Sequence, residues 1–161
     1  KNIVVHLGEK TDTWSQRALE NAETALEHLG AFARPLGVRI LVENLLNEPT
    51  TPEHLMLILE MGHLHQAGLC LDLGHAHMME GVAQALATMG PRIASVHVHD
   101  NHGVKDEHLW PGEGTIDWAA TMQGIRALPE PPAMVLELDS KFGEAHSGLD
   151  ERIRQAFDKL E

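Results

Sequence analysis

The sequence predicts an α/β fold of the (β/α)-barrel type, and three observations carry that prediction. Short apolar runs alternate along the chain with stretches of helical periodicity, the pattern of parallel strands covered by helices. The connections between them are short, except around residues 99–116. Four of the runs end in an ionisable side chain: Glu43 after Ile40-Leu41-Val42, Asp72 after Leu69-Cys70-Leu71, His97 after Ile93-Ala94-Ser95-Val96, and Glu137 after Met134-Val135-Leu136. Groups at the carboxyl ends of parallel strands are how a barrel builds a polar site. Burying four of them is costly unless they share a partner, and a divalent metal is the most economical one.

Taken in order, Asn2 to Val5 reads as a strand. Asp12 and Thr13 are candidate caps for a helix from about Trp14 to Leu29-Gly30, with Ala18, Ala22, Ala25 and Leu29 on one face. Val38 to Val42 is a strand. Thr51, with Pro52 and Glu53 behind it, starts a helix carrying Leu55, Ile58, Leu59 and Met61 and ending near Gly68. Leu69 to Leu71 is a strand, followed by a helix from near His77 to Gly90. Ile93 to Val98 is a strand. Asp117 caps a helix through Trp118, Met122 and Ile125. Ala133 to Leu138 is the last strand, and Leu149 to Leu160 the last helix.

These are five β-α units in one domain spanning residues 1–161. A complete eight-stranded TIM barrel needs about 250 residues, and the chain opens directly on a strand without Met. The expectation is therefore an incomplete barrel, the carboxyl-terminal part of one whose first strands are missing. A five-stranded doubly wound sheet is the alternative, but it brings fewer strand ends to one point. An incomplete barrel exposes strand edges, which call for an absent segment, a cover, or pairing in a homo-oligomer.

Composition narrows the partners. The formal charge of −12 argues against a large phosphate-binding surface, so nucleic acid is not the expected partner. No apolar run approaches the ~20 residues of a membrane span. The single cysteine, Cys70, excludes an internal disulfide, fits a reducing cytoplasmic setting, and reads as a small core residue. The 12 histidines are unusual, and six of them fall at or beside strand ends between residues 75 and 108, which favours metal or proton chemistry.

The detailed motifs add candidates. In Leu71-Asp72-Leu73-Gly74-His75, both Asp72 and His75 can face the same mouth, although Asp is also a common helix cap. In Val96-His97-Val98-His99-Asp100, strand alternation puts His97 and His99 on one side. Asp106-Glu107-His108 precedes a rigid turn, Pro111-Gly112-Glu113-Gly114, and offers a second metal site, a substrate contact, or mere loop stabilisation. His6 ends the first strand.

Jointly these motifs resemble the xylose-isomerase-like barrel superfamily of sugar isomerases, epimerases and type IV apurinic-site endonucleases. The resemblance runs from His6 to Glu137 and is most specific at Asp72–His75, His97–Asp100 and Asp106–Gly114. It implies one divalent ion (Mn, Mg, Co or Zn) held by Glu43, Asp72, His97 and Glu137. It implies an isomerase or epimerase acting on a sugar or sugar phosphate through a metal-stabilised enediolate, with Glu43 and Glu137 as the proton-transferring pair. His6, His75 and His108 would then contact the substrate. The endonuclease branch implies instead a multi-zinc hydrolase of abasic DNA, with His6, His75, Asp106 and His108 as additional ligands.

Overall fold

The computed structural model describes residues 1–139 and 148–160. Five strands, β1 (Asn2–Val5), β2 (Arg39–Glu43), β3 (Gly68–Asp72), β4 (Ile93–Val98) and β5 (Ala133–Leu136), lie in one sheet in chain order, and every pair is parallel. A doubly wound sheet must reverse its strand order at a switch point. This sheet has no reversal, so it is a curled, open part of a barrel.

The helices are α1 (Gln16–Ala33), α2 (Pro52–Met61), α3 (Leu73–Met78), α4 (Val82–Met89), α5 (Trp118–Arg126) and α6 (Leu149–Leu160). They cover one face of the sheet. Alternate strand residues Ile40, Val42, Leu69, Leu71, Val96 and Val98 pack with α1, α2, α4 and α5 in a single buried cluster. The intervening residues Leu41, Glu43, Cys70, Asp72, Ser95 and His97 therefore point into the curl. Pairing keeps them level: Glu43 is opposite Cys70, Cys70 opposite Ser95, and Asp72 opposite His97. The polar positions are thus gathered on the one face that the helices leave uncovered.

Several boundaries differ from the sequence expectation. Ser15, not Asp12 or Thr13, caps α1 by accepting from the Ala18 N–H. Asp12 closes a turn onto the Glu9 N–H instead, and Trp14 is held outside the helix by stacking on His54 and donating to Glu48. The buried face of α1 is Leu19, Ala22, Leu26 and Ala33, whereas Ala25 and Leu29 are exposed. α2 stops at Met61 with Gly62 as its cap, because Gly68 belongs to β3. The helix after β3 starts at once at Leu73 and breaks before Gly81, whose φ of +92° a side chain would resist. The Thr51 and Asp117 caps are as expected. β5 ends at Leu136, although the Glu137 N–H still bonds the Val98 carbonyl.

Leu71 is fully buried between sheet and helices. Leu71→Ala should cost about 3 kcal/mol, the usual scale for a leucine-sized void. It should lower the urea midpoint at unchanged slope; a loss below about 1 kcal/mol would mean that this interface is not the main core.

Candidate metal and proton-transfer site

The four strand-end residues meet. One ligand atom each from Glu43, Asp72, His97 and Glu137 lies within 4.8 Å of the others. Neighbouring strands are about 4.8 Å apart, so side chains from β2 and from the end of β5 reach one another only because the sheet curls. Glu43 and Asp72 are buried, at 1% and 0% exposure, while the Glu137 side chain is 44% exposed toward the open side.

His97 is the centre of the group. Its Nδ1 lies 3.2 Å from Glu43 Oε2, 3.1 Å from Glu137 Oε2 and 3.9 Å from Asp72 Oδ2. Yet this buried nitrogen makes no aligned hydrogen bond. Ligand atoms brought this close, with an unbonded imidazole nitrogen among them, are what a shared cation requires. Three carboxylates and one imidazole suit a hard or borderline divalent ion such as Mn²⁺, Mg²⁺, Co²⁺ or Zn²⁺. Contact with the Cys70 thiol and with Glu137 and Glu43 pushes His97 up to about 12, so without a metal the imidazole carries the balancing charge. The same contact holds the Glu137 carboxyl below its ordinary range.

Cys70 is fully buried, as a small core residue should be, and because it lies on the inner face its sulfur is also within ligand reach of Glu43 and His97. Burial pushes its thiol up, which favours the neutral form.

A second set of imidazoles lies beside the first. Asp72 both caps α3, accepting the His75 N–H at 2.7 Å, and receives His99 Nε2 at 3.0 Å. His75 Nδ1 donates to the Asn44 carbonyl at 2.9 Å, and His108 Nδ1 to the Glu137 carbonyl at 2.8 Å. Those bonds fix both tautomers and turn both Nε2 atoms toward Asp106 Oδ2, at 3.4 and 3.2 Å. A carbonyl behind the imidazole is the usual support of a metal-ligating histidine. Burial opposes charge on His75, but its bond to Asp106 and the nearby carboxylates outweigh this and raise it to about 9. Asp106 is lowered to about 2, chiefly by His75. His6 Nε2 reaches Glu43 Oε2 at 3.1 Å from the exposed end of β1.

Supporting residues surround these groups, and of them the sequence had marked only His99 and Asp100, within the His97–Asp100 motif. His99 is fully buried and stacks on His108 at 4.0 Å; the strand alternation that placed it beside His97 was its only signal. Asn44 ties β2 to β3 through two bonds with the Asp72 backbone. Asp100, at 0% exposure, accepts from the N–H groups of Asn101, Gly112 and Ile116 and from Trp118 Nε1. It thereby folds the long loop that carries Asp106 and His108. Asn101 bonds the Gly74 carbonyl. Gly74 must lack a side chain, since a Cβ there would run into the His99 ring.

Residues 1–160 match the family described as xylose isomerase-like TIM barrel. A D-tagatose 3-epimerase-like protein of known crystal structure superposes with a TM-score of 0.75 at 26% identity, covering all of this chain and 65% of its own. An uncharacterized protein of Methanocaldococcus jannaschii is 32% identical over 136 residues, 78% of this chain and 46% of its own length. A probable endonuclease 4 of Natronomonas pharaonis is 29% identical over 182 aligned positions, 98% of this chain and 63% of its own. The chain thus spans roughly half to two-thirds of these proteins.

The raised histidines give a pH dependence with a definite sign. An imidazolium stabilised in the fold contributes fully below its unfolded pKa of about 6.5 and ceases to contribute as pH rises through its folded value. For His75 that window runs up to about 9. In chelator-treated protein the urea midpoint should therefore fall between pH 6.5 and 9, and His75→Gln should flatten that slope. An unchanged slope in the variant would remove His75 as its source. Separately, Gly74→Ala should cost about 2 kcal/mol by overpacking; wild-type stability would show that His99 is not held against residue 74.

Proposed function

The chain belongs to the xylose isomerase-like TIM barrel family, and from that premise we propose that it holds the metal and proton-transfer groups of an isomerase or epimerase acting on a free or phosphorylated sugar. The observation that carries this reading is the convergence of two glutamates, Glu43 and Glu137, on the same nitrogen of His97, with Asp72 completing the set. The likeness to a D-tagatose 3-epimerase-like structure supports it.

Glu43, Asp72, His97 and Glu137 would hold one divalent ion. When bound, that ion supplies a Lewis acid that polarises a carbonyl and offsets the negative charge developing as a neighbouring C–H proton leaves. The protein's own groups handle the proton. Glu137 is half exposed on the open side and, as a carboxylate ionised at neutral pH, can accept the proton. Glu43, buried at the end of β2, is the complementary donor and acceptor. Asp72 stays fixed by the His75 N–H and by His99, so it positions rather than exchanges a proton. His6, His75 and His108 surround the cluster and would bond substrate oxygens.

One observation favours a second reading, a zinc-dependent phosphodiester hydrolase of the endonuclease 4 type. His75 and His108 have their tautomers set by carbonyls and both aim at Asp106, an arrangement suited to a further metal. Similarity to a probable endonuclease 4 supports it as well. The net charge of −12 weighs against DNA as the substrate.

Metal content separates the two. About one manganese, magnesium or cobalt ion per chain, lost in Glu43→Ala, is expected for the isomerase; two or three zinc ions would favour the hydrolase. Glu137→Gln should lower turnover by about 10³-fold with the fold retained, and solvent deuterium should enter the substrate carbon. Near-normal activity in this variant would sink the proton-transfer role of Glu137.

A further inference from the structure

At the opposite end of the strands, a cavity of about 420 Å³ opens between the carboxyl-terminal half of α1 and the loop from α2 to β3. That volume is in the range of small-molecule sites. Arg39 opens β2 and Glu43 closes it, so at about 3.3 Å per residue the cavity and the carboxylate cluster stand about 13 Å apart along the strand.

The lining reverses the sign of the molecule. Arg34, Arg39, His63 and His65 all face the cavity, against one carboxylate, Glu27. The chain as a whole carries 24 acidic and 12 basic residues. Neither arginine has a carboxylate within ion-pair distance among the described residues. A local excess of cations in an acidic protein is a focused field for an anion.

Arg39 is also placed rather than loose. Its Nε donates to the Gln66 carbonyl at 3.2 Å. Its guanidinium packs against Gly68, where a Cβ would come within 2.9 Å of Arg39 Cζ. Its two terminal nitrogens keep no acceptor among the described residues, which leaves the fork available for a bidentate oxyanion.

The opposite wall is anchored too. Arg92 Nη2 bonds the Leu64 and Ala67 carbonyls at 2.9 and 2.8 Å, pinning the loop that carries His63 and His65. Burial, and then repulsion from Arg39, hold the Arg92 pKa down. The Glu60 carboxylate offsets this only in part, and the two guanidiniums stand near each other. His63 adopts φ of +49°, in the left-handed region that histidine visits more readily than most residues. His63 and His65 have no third metal-competent side chain in ligand reach among the described residues, so a metal is not the fitting occupant.

We propose that this cavity binds the oxyanion of a small molecule, a phosphate or carboxylate, with Arg39 and Arg34 gripping the charge and the imidazoles of His63 and His65 donating to it. Leu26, Val38 and Ile40 form the apolar wall against which the rest of that molecule packs. The assignment is independent of the reaction at the other end of the strands.

The test is an NMR titration of the labelled chain with inorganic phosphate, and separately with acetate, at ionic strength matched with sodium chloride. Saturable shifts confined to Gly62, His63, His65 and Ala67 are expected. They should weaken about tenfold in Arg39→Gln, the loss of one charge-assisted contact, and also in Arg34→Gln, which alters an exposed residue and leaves the fold intact. Phosphate saturating well below acetate would assign a phosphorylated ligand, and comparable affinities a carboxylate. No saturable shift with either anion, shifts reproduced by chloride alone, or affinities unchanged in both variants would overturn the site.

Discussion

Glu43 and Asp72 are taken out of water with no lysine or arginine beside them among the described residues, and the rest of the inner face is arranged around that cost. Among the described residues, imidazoles are the only neighbouring groups that can carry a positive charge. An imidazole can answer a buried carboxylate in two ways: it can take up a proton, or it can present a lone pair to a shared metal. His97 is driven upward in pKa by the Cys70 thiol and then by Glu137 and Glu43, and His75, against its burial, by Asp106 and Asp72. A lysine in either place would have neutralised the site permanently and left no vacancy for a metal.

That choice propagates outward through ordinary backbone chemistry. Asp72 is a helix cap as well as a candidate ligand, so the start of α3 and the position of its carboxylate are one constraint. The carbonyls of Asn44 and Glu137 orient His75 and His108, which links the tautomers to the ends of β2 and β5. Asp100 then holds the loop from which Asp106 and His108 project, by collecting four N–H donors on one buried carboxylate. Each polar group within the curl is thus set by a strand end, a helix start or a loop anchor rather than by side-chain packing alone.

A shared barrel does not name a reaction. A D-tagatose 3-epimerase-like protein and a probable endonuclease 4 both resemble this chain across nearly its whole length. The number of imidazoles turned toward the carboxylates bears on which metal fits, because oxygen-rich ligation suits a hard ion and added nitrogen ligands suit zinc. In this chain the first set is carboxylate-rich, and the second, around Asp106, is imidazole-rich.

The amino-acid sequence by itself determined the alternation of strands and helices, the parallel sheet and the strand-end positions of Glu43, Asp72, His97 and Glu137. These follow from local period and from which residue terminates an apolar run. It also determined the Thr51 and Asp117 caps, where one side chain and one N–H three residues on suffice. The phase of α1 was not local: Leu19 and Leu26 are buried, and Leu29 is not, because of where the neighbouring sheet lies. Likewise Cys70 looked like packing until the pairing of β2, β3 and β4 put it level with Glu43 and Ser95. Only the tertiary structure decided that His99 would serve Asp72, that Asp100 would gather the long loop, and that Gly74 had to be bare. Each of those depends on groups more than ten residues apart meeting at one point, and the curl of the sheet, not the order of the residues, sets where that point lies.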